Sequence, residues 1–483
     1  MSYFAGEPQF GQYTSAIVLS IKTSPARFLC LNAAQQAYRV FVVSVQRFDD
    51  LKPRSLYCQQ PRKVINITSY FYSDKRQATI MALFSGIPDS KKRILLFMAA
   101  LSVGSTVAFQ GWAMLYNNFA VNVAGLDPTQ NGVLQALREI PGLITVSLIV
   151  FLFVLKEHQL MTCAVAAAGL GTLLTGLFPS YVPMICTSFL MSLGVHYFES
   201  LNNSLCIQHF DLRQTPLVMG RLRSFVAAGS LLISAFVFFA SDKLDFRWLF
   251  FVPGAAAILL AVAGSIGDPL GGSRSAAKQK RRALPQKRYW LFYLLNFIMG
   301  ARRQIFTVFS VFLMVEQFGF SVRTVSLLYM FNFAVNWLFN PLVGVIINKL
   351  GERRLLSIEY GAAILIFAGY AYTDSTYLLV LLYALDSLTF NFEIAVRTFF
   401  QKIAFAEDAA PNMAIAQSIN HIPAVTFPAL GGWMWQEFGY RSVFLTGAAV
   451  TLLSLLAAQL IDREIRLKSA EARGQLQSGE NEA

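Results

Sequence analysis

Residues 91–117 read KKRILLFMAALSVGSTVAFQGWAMLYN, three consecutive bases followed by 24 residues without a charge. An α-helix needs about 20 predominantly apolar residues to cross the roughly 30 Å hydrocarbon core of a bilayer. The uncharged part of this stretch has that length, and bases at its start are typical of the cytoplasmic end of a membrane-spanning helix. The stretch therefore predicts a membrane-spanning helix.

Eleven more apolar stretches of similar length follow, and most charges lie between them. The twelve predicted spans are 94–117, 132–155, 160–178, 181–206, 216–240, 246–266, 289–316, 322–347, 355–373, 376–401, 411–435 and 440–461. The chain of 483 residues is 55% hydrophobic and only 14% charged, which leaves too little polar surface for a soluble globule of this size. We predict an all-α integral membrane protein with twelve transmembrane helices, and a large soluble enzyme is excluded.

The distribution of basic residues predicts the topology. A net charge of +13 in a soluble protein would suggest nucleic acid as a partner. Here the connections on one side of the predicted membrane domain carry 20 Lys and Arg, against four on the other side. The positive-inside rule then predicts a multi-pass protein of the cell membrane whose membrane domain has both termini in the cytoplasm, with no nucleic-acid partner. The five cysteines are scattered, so we expect no disulfide framework, metal or cofactor.

Composition divides the chain into five parts. The segment 267–288 is rich in Gly, Pro and basic residues and separates two groups of six predicted helices. The two groups show faint internal symmetry, because Phe198 and Glu199 precede Phe392 and Glu393 by 194 positions each. The predicted parts are a polar basic N-terminal extension (1–90), a first six-helix bundle (91–266), a cytoplasmic linker (267–288), a second six-helix bundle (289–462) and a cytoplasmic tail (463–483).

The first 80 residues differ from the rest of the chain. They carry ten Lys or Arg against four acids and no apolar run long enough to span a membrane. They are either a cytosolic amphipathic extension, or a stretch that is weakly ordered or lies upstream of the true start, because Met81 opens a plausible short leader before the first span. We assign them no function.

One loop carries a family motif. Between the eighth and ninth spans the chain reads GVIINKLGERR (344–354), which is similar to the G-x-x-x-D-[RK]-x-G-[RK]-[RK] loop of the major facilitator superfamily, with Asn348 in place of Asp. With the six-plus-six layout and the basic central loop, residues 91–462 resemble that family. The equivalent first-half loop, Lys156 to His158, lacks the glycines and departs from the pattern. By this resemblance, gating is expected of the loop residues Gly344, Asn348, Lys349, Gly351 and Arg353.

The resemblance also implies the helix arrangement. Helices 1, 4, 7 and 10 should surround a central cavity, helices 2, 5, 8 and 11 should flank them, and helices 3, 6, 9 and 12 should lie outermost. A charge facing lipid costs several kcal/mol. Consistent with an outer position, helices 3, 6 and 12 hold no charge deep in the bilayer, and helix 9 holds only Glu359, near its cytoplasmic end.

Helical spacing separates the two arginines of helix 7. Asn296, Gly300, Arg303, Thr307 and Ser310 follow at steps of three and four residues and should form one polar face. Arg302 instead shares a face with apolar residues. We therefore expect Arg303 to face the cavity and to bind solute. The alternative is that both arginines only pair with carboxylates of neighbouring helices.

Titratable residues of helices 10 and 4 are candidates for proton or ion coupling. Asp386 lies near the predicted midplane, on the same face as Glu393 and Arg397. Glu393 and Arg397 have the i, i+4 spacing of a local ion pair, so they form either a structural pair or a cytoplasmic gate, or contact solute. On helix 4, His196 and Glu199 share a face and together could carry a proton, unless the imidazole is simply hydrogen-bonded.

Uncharged polar residues and the remaining arginine complete the predicted solute path. Besides Arg303, the candidates for solute contact are Gln110, Asn117, Arg138, Asn296, Asn332, Asn336 and Asn420. Amides between membrane helices serve equally well as interhelical hydrogen bonds. The deep arginines 138, 302, 303 and 397 are balanced by Glu139, Glu199, Asp386 and Glu393, which favours internal pairing. An organic anion or zwitterion bound by Arg303 is the expected solute.

These patterns predict a monomeric secondary active transporter that moves a small solute by alternating access, coupled to a proton or another ion. The chain has no G-x-x-x-x-G-K-[ST] loop, which argues against an ATP-driven pump. A non-transporting membrane sensor or scaffold is the alternative, favoured by the missing motif in the first-half loop. A membrane-embedded enzyme would need a catalytic cluster at one membrane face, and we find none.

Overall fold

Twelve helices, α1 to α12, and a short helical run over 461–468 make up most of the part of the chain that the structure describes. A computed structural model describes residues 88–210, 214–266, 286–404 and 406–468. Most of the predicted extension, most of the linker and most of the tail lie outside the described residues, over 1–87, 267–285 and 469–483 respectively.

Each half contributes six of these helices. The first half consists of α1 (Asp89–Asn122), α2 (Pro128–Leu143, then a 3-10 turn Thr145–Ser147 and Leu148–Leu152), α3 (Glu157–Thr175), α4 (Tyr181–His209), α5 (Thr215–Ala240) and α6 (Phe246–Ser265). The second half consists of α7 (Trp290–Gln304, π-helical Ile305–Ser310 and Val311–Glu316), α8 (Val322–Leu350), α9 (Glu352–Tyr372), α10 (Thr376–Thr389, a 3-10 turn Phe390–Glu393 and Ile394–Ile403), α11 (Ala406–Phe438) and α12 (Tyr440–Ala458).

The predicted twelve-helix architecture is confirmed over these ranges. Within the described residues, eight helices are long and apolar enough by length and composition to cross a membrane: α1, α4, α5, α6, α7, α9, α10 and α12. The other four carry polar residues at helix contacts, such as Gln135 of α2, Thr172 of α3 and Asn420 of α11, all buried.

Three of the predicted continuous spans are interrupted. The α-helical part of α2 ends at Leu143, two residues after Pro141, which cannot donate a backbone hydrogen bond. The Thr145 hydroxyl donates to the carbonyl oxygens of Pro141 and Gly142, at 3.0 and 2.9 Å. In α7 a π-helical segment follows the two arginines, and in α10 a 3-10 turn ends at Glu393. Each interruption therefore lies close to charged side chains.

Small residues set the closest helix contacts, as is usual where helices associate in a membrane. Gly169 of α3 and Gly254 of α6 face each other, and a Cβ added to either would lie 2.6 Å from the carbonyl oxygen of the other. Gly171 and Gly194 similarly allow α3 to approach α4, because an added Cβ at either would lie within 2.6 Å of backbone atoms of the neighbouring helix. These contacts leave no room for a larger side chain.

One set of contacts between the halves lies at one end of the bundle. We call the end where α1 begins at Asp89 the terminal face, and the end where α1 ends at Asn122 the opposite face. At the opposite face, Asn118 Nδ2 donates to Phe320 O at 2.6 Å, and Arg323 Nη1 lies 2.5 Å from Asp242 Oδ2. Gly132 of α2 and Gly432 of α11 are so close there that a Cβ on Gly132 would lie 2.9 Å from Gly432 Cα.

The turn between α8 and α9 requires glycine. Gly351 has φ 77° and ψ 160°, a conformation that is essentially restricted to glycine. Gly351→Ala is therefore expected to lower the free energy of unfolding by about 1–3 kcal/mol. Thermal melting of the detergent-purified protein measures it. Gly361→Ala in α9 is the matched control, because its Cβ would meet no atom within 4 Å. Equal melting temperatures for the two variants would contradict the prediction.

Candidate functional site

A fully buried arginine joins three helices of the second half. Arg302 of α7 is 1% exposed, and its Nη2 lies 2.8 Å from Glu359 Oε1 of α9. The other two carboxylates come from α10: Asp386 Oδ1 lies 3.6 Å from Nη1, and Glu393 Oε1 lies 3.6 Å from Nη2. We call these four residues the Arg302 cluster. It ties α7, α9 and α10 together through ion pairs, and the pair with Glu359 is also a hydrogen bond.

The Arg302 cluster holds more acid than base. With every group ionised, three carboxylates and one guanidinium carry two net negative charges, which is costly in a buried site within a membrane. Both oxygens of Asp386, Glu359 Oε2 and Glu393 Oε1 are buried and accept no hydrogen bond from a described residue. A proton on a carboxyl group removes one charge and supplies a hydrogen-bond donor. The arrangement is suited to taking up and releasing protons.

The contacts of helices 7, 9 and 10 differ from the expected faces. Arg302 makes the carboxylate contacts, so the pairing considered as the alternative for both arginines applies to this one. Glu393 lies beside Arg302 instead of forming the expected pair with Arg397, which is exposed. The 3-10 turn that ends at Glu393 breaks the regular helix on which the i, i+4 spacing was based. Glu359, expected on an outer helix, is completely buried.

The π-helical segment also divides the expected polar face of α7. Thr307 is exposed, whereas Ser310 is completely buried and donates to the carbonyl oxygen of Phe306. A π-helix places its hydrogen bonds from i to i+5, so residues after it no longer continue the face set by steps of three and four. Arg303, just before this segment, is half-buried.

A second charged cluster lies between the halves. Glu139 of α2 has Oε1 2.5 Å from Arg138 Nη2 and Oε2 3.7 Å from His421 Nδ1 of α11. The rings of His421 and His196 of α4 meet edge to face, with centroids 5.4 Å apart. We call Glu139, His196 and His421 the interface cluster. Arg303 acts electrostatically on both Glu139 and His196, so four helices from two halves converge here.

Arg138 is fixed from several sides within the first half. Its Nε donates to Gln135 Oε1 at 2.8 Å, and its guanidinium lies 5.5 Å from the Trp112 ring and 6.0 Å from the Phe109 ring. The Ser192 hydroxyl of α4 donates to its backbone carbonyl at 2.5 Å. An arginine with this many partners orients Glu139 towards the second half.

A cavity of about 380 Å³ lies within the first half, between α1, α4 and α5. Its polar lining includes Glu199, Gln110, Asn203 and Arg223. Arg223 is eight residues into α5, roughly 12 Å from its start at the terminal face. The cavity therefore lies on the terminal-face side of the contacts that close the opposite face.

Two of the predicted solute-binding amides, Asn336 and Asn420, bond to neighbouring helices. Asn336 Nδ2 of α8 donates to Asn332 Oδ1 at 2.5 Å, and Asn391 Nδ2 of α10 donates to Asn336 Oδ1 at 2.7 Å. Asn420 Nδ2 of α11 donates to the backbone carbonyl of Asn296 of α7 at 2.9 Å. The bond between Asn336 and Asn332 lies within α8, whereas the bonds of Asn391 to Asn336 and of Asn420 to Asn296 link helices. Asn117 is buried in α1, while Gln110 lines the cavity.

The predicted gating loop is tied to its own half. Arg353 Nη1 lies 3.0 Å from Asp462 Oδ2, just after α12, and Glu352 Oε1 lies 2.7 Å from Lys402 Nζ of α10. Gly344 lies within α8, and Asn348 and Lys349 are exposed near its end. The loop therefore links the terminal-face ends of α8, α9, α10 and α12.

Three residues of these sites were not selected from the sequence. Glu359 and His421 became relevant only through contacts with other helices. Arg223 carried a readable signal, because it is a charge well inside the predicted span 216–240, but it was absent from the count of deep charges. Within the described part of the chain, no three or more His, Cys, Asp or Glu side chains are grouped so that they could hold a metal ion.

Comparisons with known proteins agree with this architecture. The family model described as Major Facilitator Superfamily matches residues 93–409 and 292–478. No curated protein sequence matches the chain. Among solved structures, the nucleoside transporter NupG is 16% identical with a TM-score of 0.63. The match covers 76% of this chain and 98% of the NupG chain.

Two further structures are similar in fold. A bacterial homologue of the human lysosomal transporter Spinster, in an inward-facing and unoccupied conformation, is 14% identical with a TM-score of 0.63, and the match covers 79% of this chain and 99% of that one. A POT family transporter in complex with a thioalcohol-conjugated peptide is 12% identical with a TM-score of 0.62, covering 77% of this chain and 96% of its own.

Proposed function

The chain belongs to the major facilitator superfamily, and from this premise we propose that it is a proton-coupled secondary transporter that moves a small charged organic solute by alternating access. The fold and the family identify a multi-pass membrane transporter and not an enzyme. Proton coupling, the solute class and the cell membrane as its location are our proposals.

The Arg302 cluster is the observation that carries proton coupling. Its three carboxylates share one guanidinium, so the loss or gain of a proton changes a strongly destabilising net charge. Asp386 and Glu393 belong to α10 and Glu359 to α9, so a change in their charge alters how these helices pack against α7. Protonation is thereby linked to the arrangement of helices in the second half.

The contacts between the halves support alternating access. The opposite face is closed by Asn118 with Phe320 and by the two glycines of α2 and α11, whereas the cavity lies towards the terminal face. The positive-inside rule assigns the terminal face to the cytoplasm. This conformation would then be open to the cytoplasm, and the interface cluster would lie between the cavity and the closed face.

The solute is proposed to carry charge because the path between the halves does. Arg303 is half-buried and acts electrostatically on Glu139, Glu199 and Glu393. A charged solute near Arg303 would change the balance among these carboxylates. Solute binding and protonation would then influence each other through the same charges.

Uptake into proteoliposomes tests the proposal. With an imposed pH gradient, a labelled solute chosen from organic anions and zwitterions should accumulate, and a protonophore should abolish the accumulation. Absence of flux for every tested solute, with the fold intact by thermal melting, would contradict transport and favour a membrane sensor or scaffold.

A further inference from the structure

Two unpaired side chains of opposite charge face the cavity of the first half. Glu199 of α4 and Arg223 of α5 both line it, and both are exposed to it. Neither makes an ion pair or a hydrogen bond with a residue in the described ranges. Charges in membrane-spanning helices are costly unless they are paired or functional. Their placement in one cavity without a mutual ion pair leaves each available to a ligand.

The rest of the lining is amphipathic. Apolar side chains form part of the wall, including Phe109, Phe198, Leu222 and Val226. Amides also line the cavity, among them Gln110 and Asn202. A ligand that fills this cavity needs an apolar body and charged groups for both Glu199 and Arg223.

We propose that this cavity binds an amphipathic zwitterion, with its cationic group at Glu199, its anionic group at Arg223 and its apolar body against the phenylalanine wall. A purely anionic ligand could pair with Arg223 but would leave the carboxylate of Glu199 without a counter-charge. A purely cationic ligand could pair with Glu199 but would leave the guanidinium of Arg223 without one. The assignment rests on the proposed transport function and narrows its solute class. It also moves the anionic end of the solute from Arg303 to Arg223.

The position of Glu199 connects the cavity to the second half. Arg303 and His421 both act electrostatically on Glu199, although they belong to α7 and α11. A cationic group bound at Glu199 would therefore alter the charge balance at the interface cluster. Ligand binding in the cavity would therefore change the electrostatic interactions between the two halves.

Thermal stabilisation of the detergent-purified full chain tests the site without any gradient. The probes are L-phenylalanine, L-tryptophan and L-leucine as zwitterions, each compared with its amide (a cation) and its N-acetyl derivative (an anion). Bound ligand stabilises the fold by mass action, so midpoint shifts against concentration give apparent affinities. At least one zwitterion should bind about tenfold more tightly than both of its singly charged forms.

Two variants separate the charged ends. Glu199→Gln should bind the zwitterion no more tightly than its N-acetyl anion, and Arg223→Gln should bind the zwitterion no more tightly than its amide. Glu437→Gln and Arg247→Gln are matched controls, because both residues are exposed near the opposite face and away from the cavity. The controls should retain the wild-type preference.

The outcomes distinguish this site from transport itself. The inference is overturned if none of the zwitterions stabilises the wild type, if the charged forms bind equally well, or if both cavity variants keep the wild-type preference. Zwitterion binding without flux would support the site and contradict the transport proposal. Flux that is unaffected by either variant would support transport and overturn the site.

Discussion

Arg302→Met is expected to lower the free energy of unfolding by about 3–5 kcal/mol, because it leaves three carboxylates, two of them completely buried, without their cation. The guanidinium lies 2.8 Å from Glu359 and 3.6 Å from both Asp386 and Glu393, and it is 1% exposed. Methionine is flexible and occupies a volume similar to that of arginine, so the substitution leaves little empty space. The loss of stability therefore comes mainly from the missing positive charge. Thermal melting of the purified protein in detergent measures the loss.

Neighbouring and compensating substitutions make this prediction specific. Arg303→Met changes the next residue, which is half-buried and outside the ion pairs of the Arg302 cluster, and it should cost much less stability. The triple variant Arg302→Met, Glu359→Gln, Asp386→Asn removes two of the stranded charges and should recover much of the loss. A melting temperature of Arg302→Met equal to that of Arg303→Met would contradict the role of the cluster.

Gly132→Ala is expected to move the protein out of the conformation described here. An added Cβ would lie 2.2 Å from the carbonyl oxygen of Pro428 and 2.9 Å from Gly432 Cα, both backbone atoms of α11. Helices α2 and α11 must therefore separate at the opposite face. We expect the ratio of conformations open at that face to conformations closed there to rise by at least about tenfold, or about 1.4 kcal/mol. Transport should decrease correspondingly.

Labelling of a reporter cysteine measures this shift. Thr129 of α2 lies next to Gly432, with its hydroxyl 3.5 Å from the Gly432 carbonyl oxygen. In a background without the native cysteines, Thr129→Cys should react faster with a membrane-impermeant maleimide when Gly132→Ala is present. Gly220→Ala is the control, because a Cβ on that helical glycine meets no atom within 4 Å. Equal labelling rates in the two backgrounds would show that the glycine contact does not hold this face closed.

The architecture could be predicted from sequence because it depends on a one-dimensional property. The length of each apolar run fixed the position of each helix, so the predicted 181–206 and 246–266 correspond to Tyr181–His209 and Phe246–Ser265. Charged residues are rare in those runs because a charge in lipid is energetically costly. A break such as the one after Pro141 was missed because the apolar run continues through it.

The site was predicted less well because it depends on contacts between helices. Periodicity placed Asp386, Glu393 and His196 on inward faces but could not say which arginine they would meet. The π-helical segment after Arg303 and the 3-10 turn at Glu393 change the faces that regular spacing implies. Glu359 and His421 are partners that only the folded arrangement brings to Arg302 and Glu139.

We propose that protonation within the Arg302 cluster drives solute movement, and Asp386→Asn removes one of the groups that would carry the proton. Asparagine resembles the protonated carboxyl group but cannot take up or release a proton. In proteoliposomes, the variant should still exchange labelled solute across the membrane when solute is present on both sides. It should no longer accumulate solute in response to an imposed pH gradient. If Asp386→Asn accumulates solute as the wild type does, with the same sensitivity to a protonophore, the account is wrong.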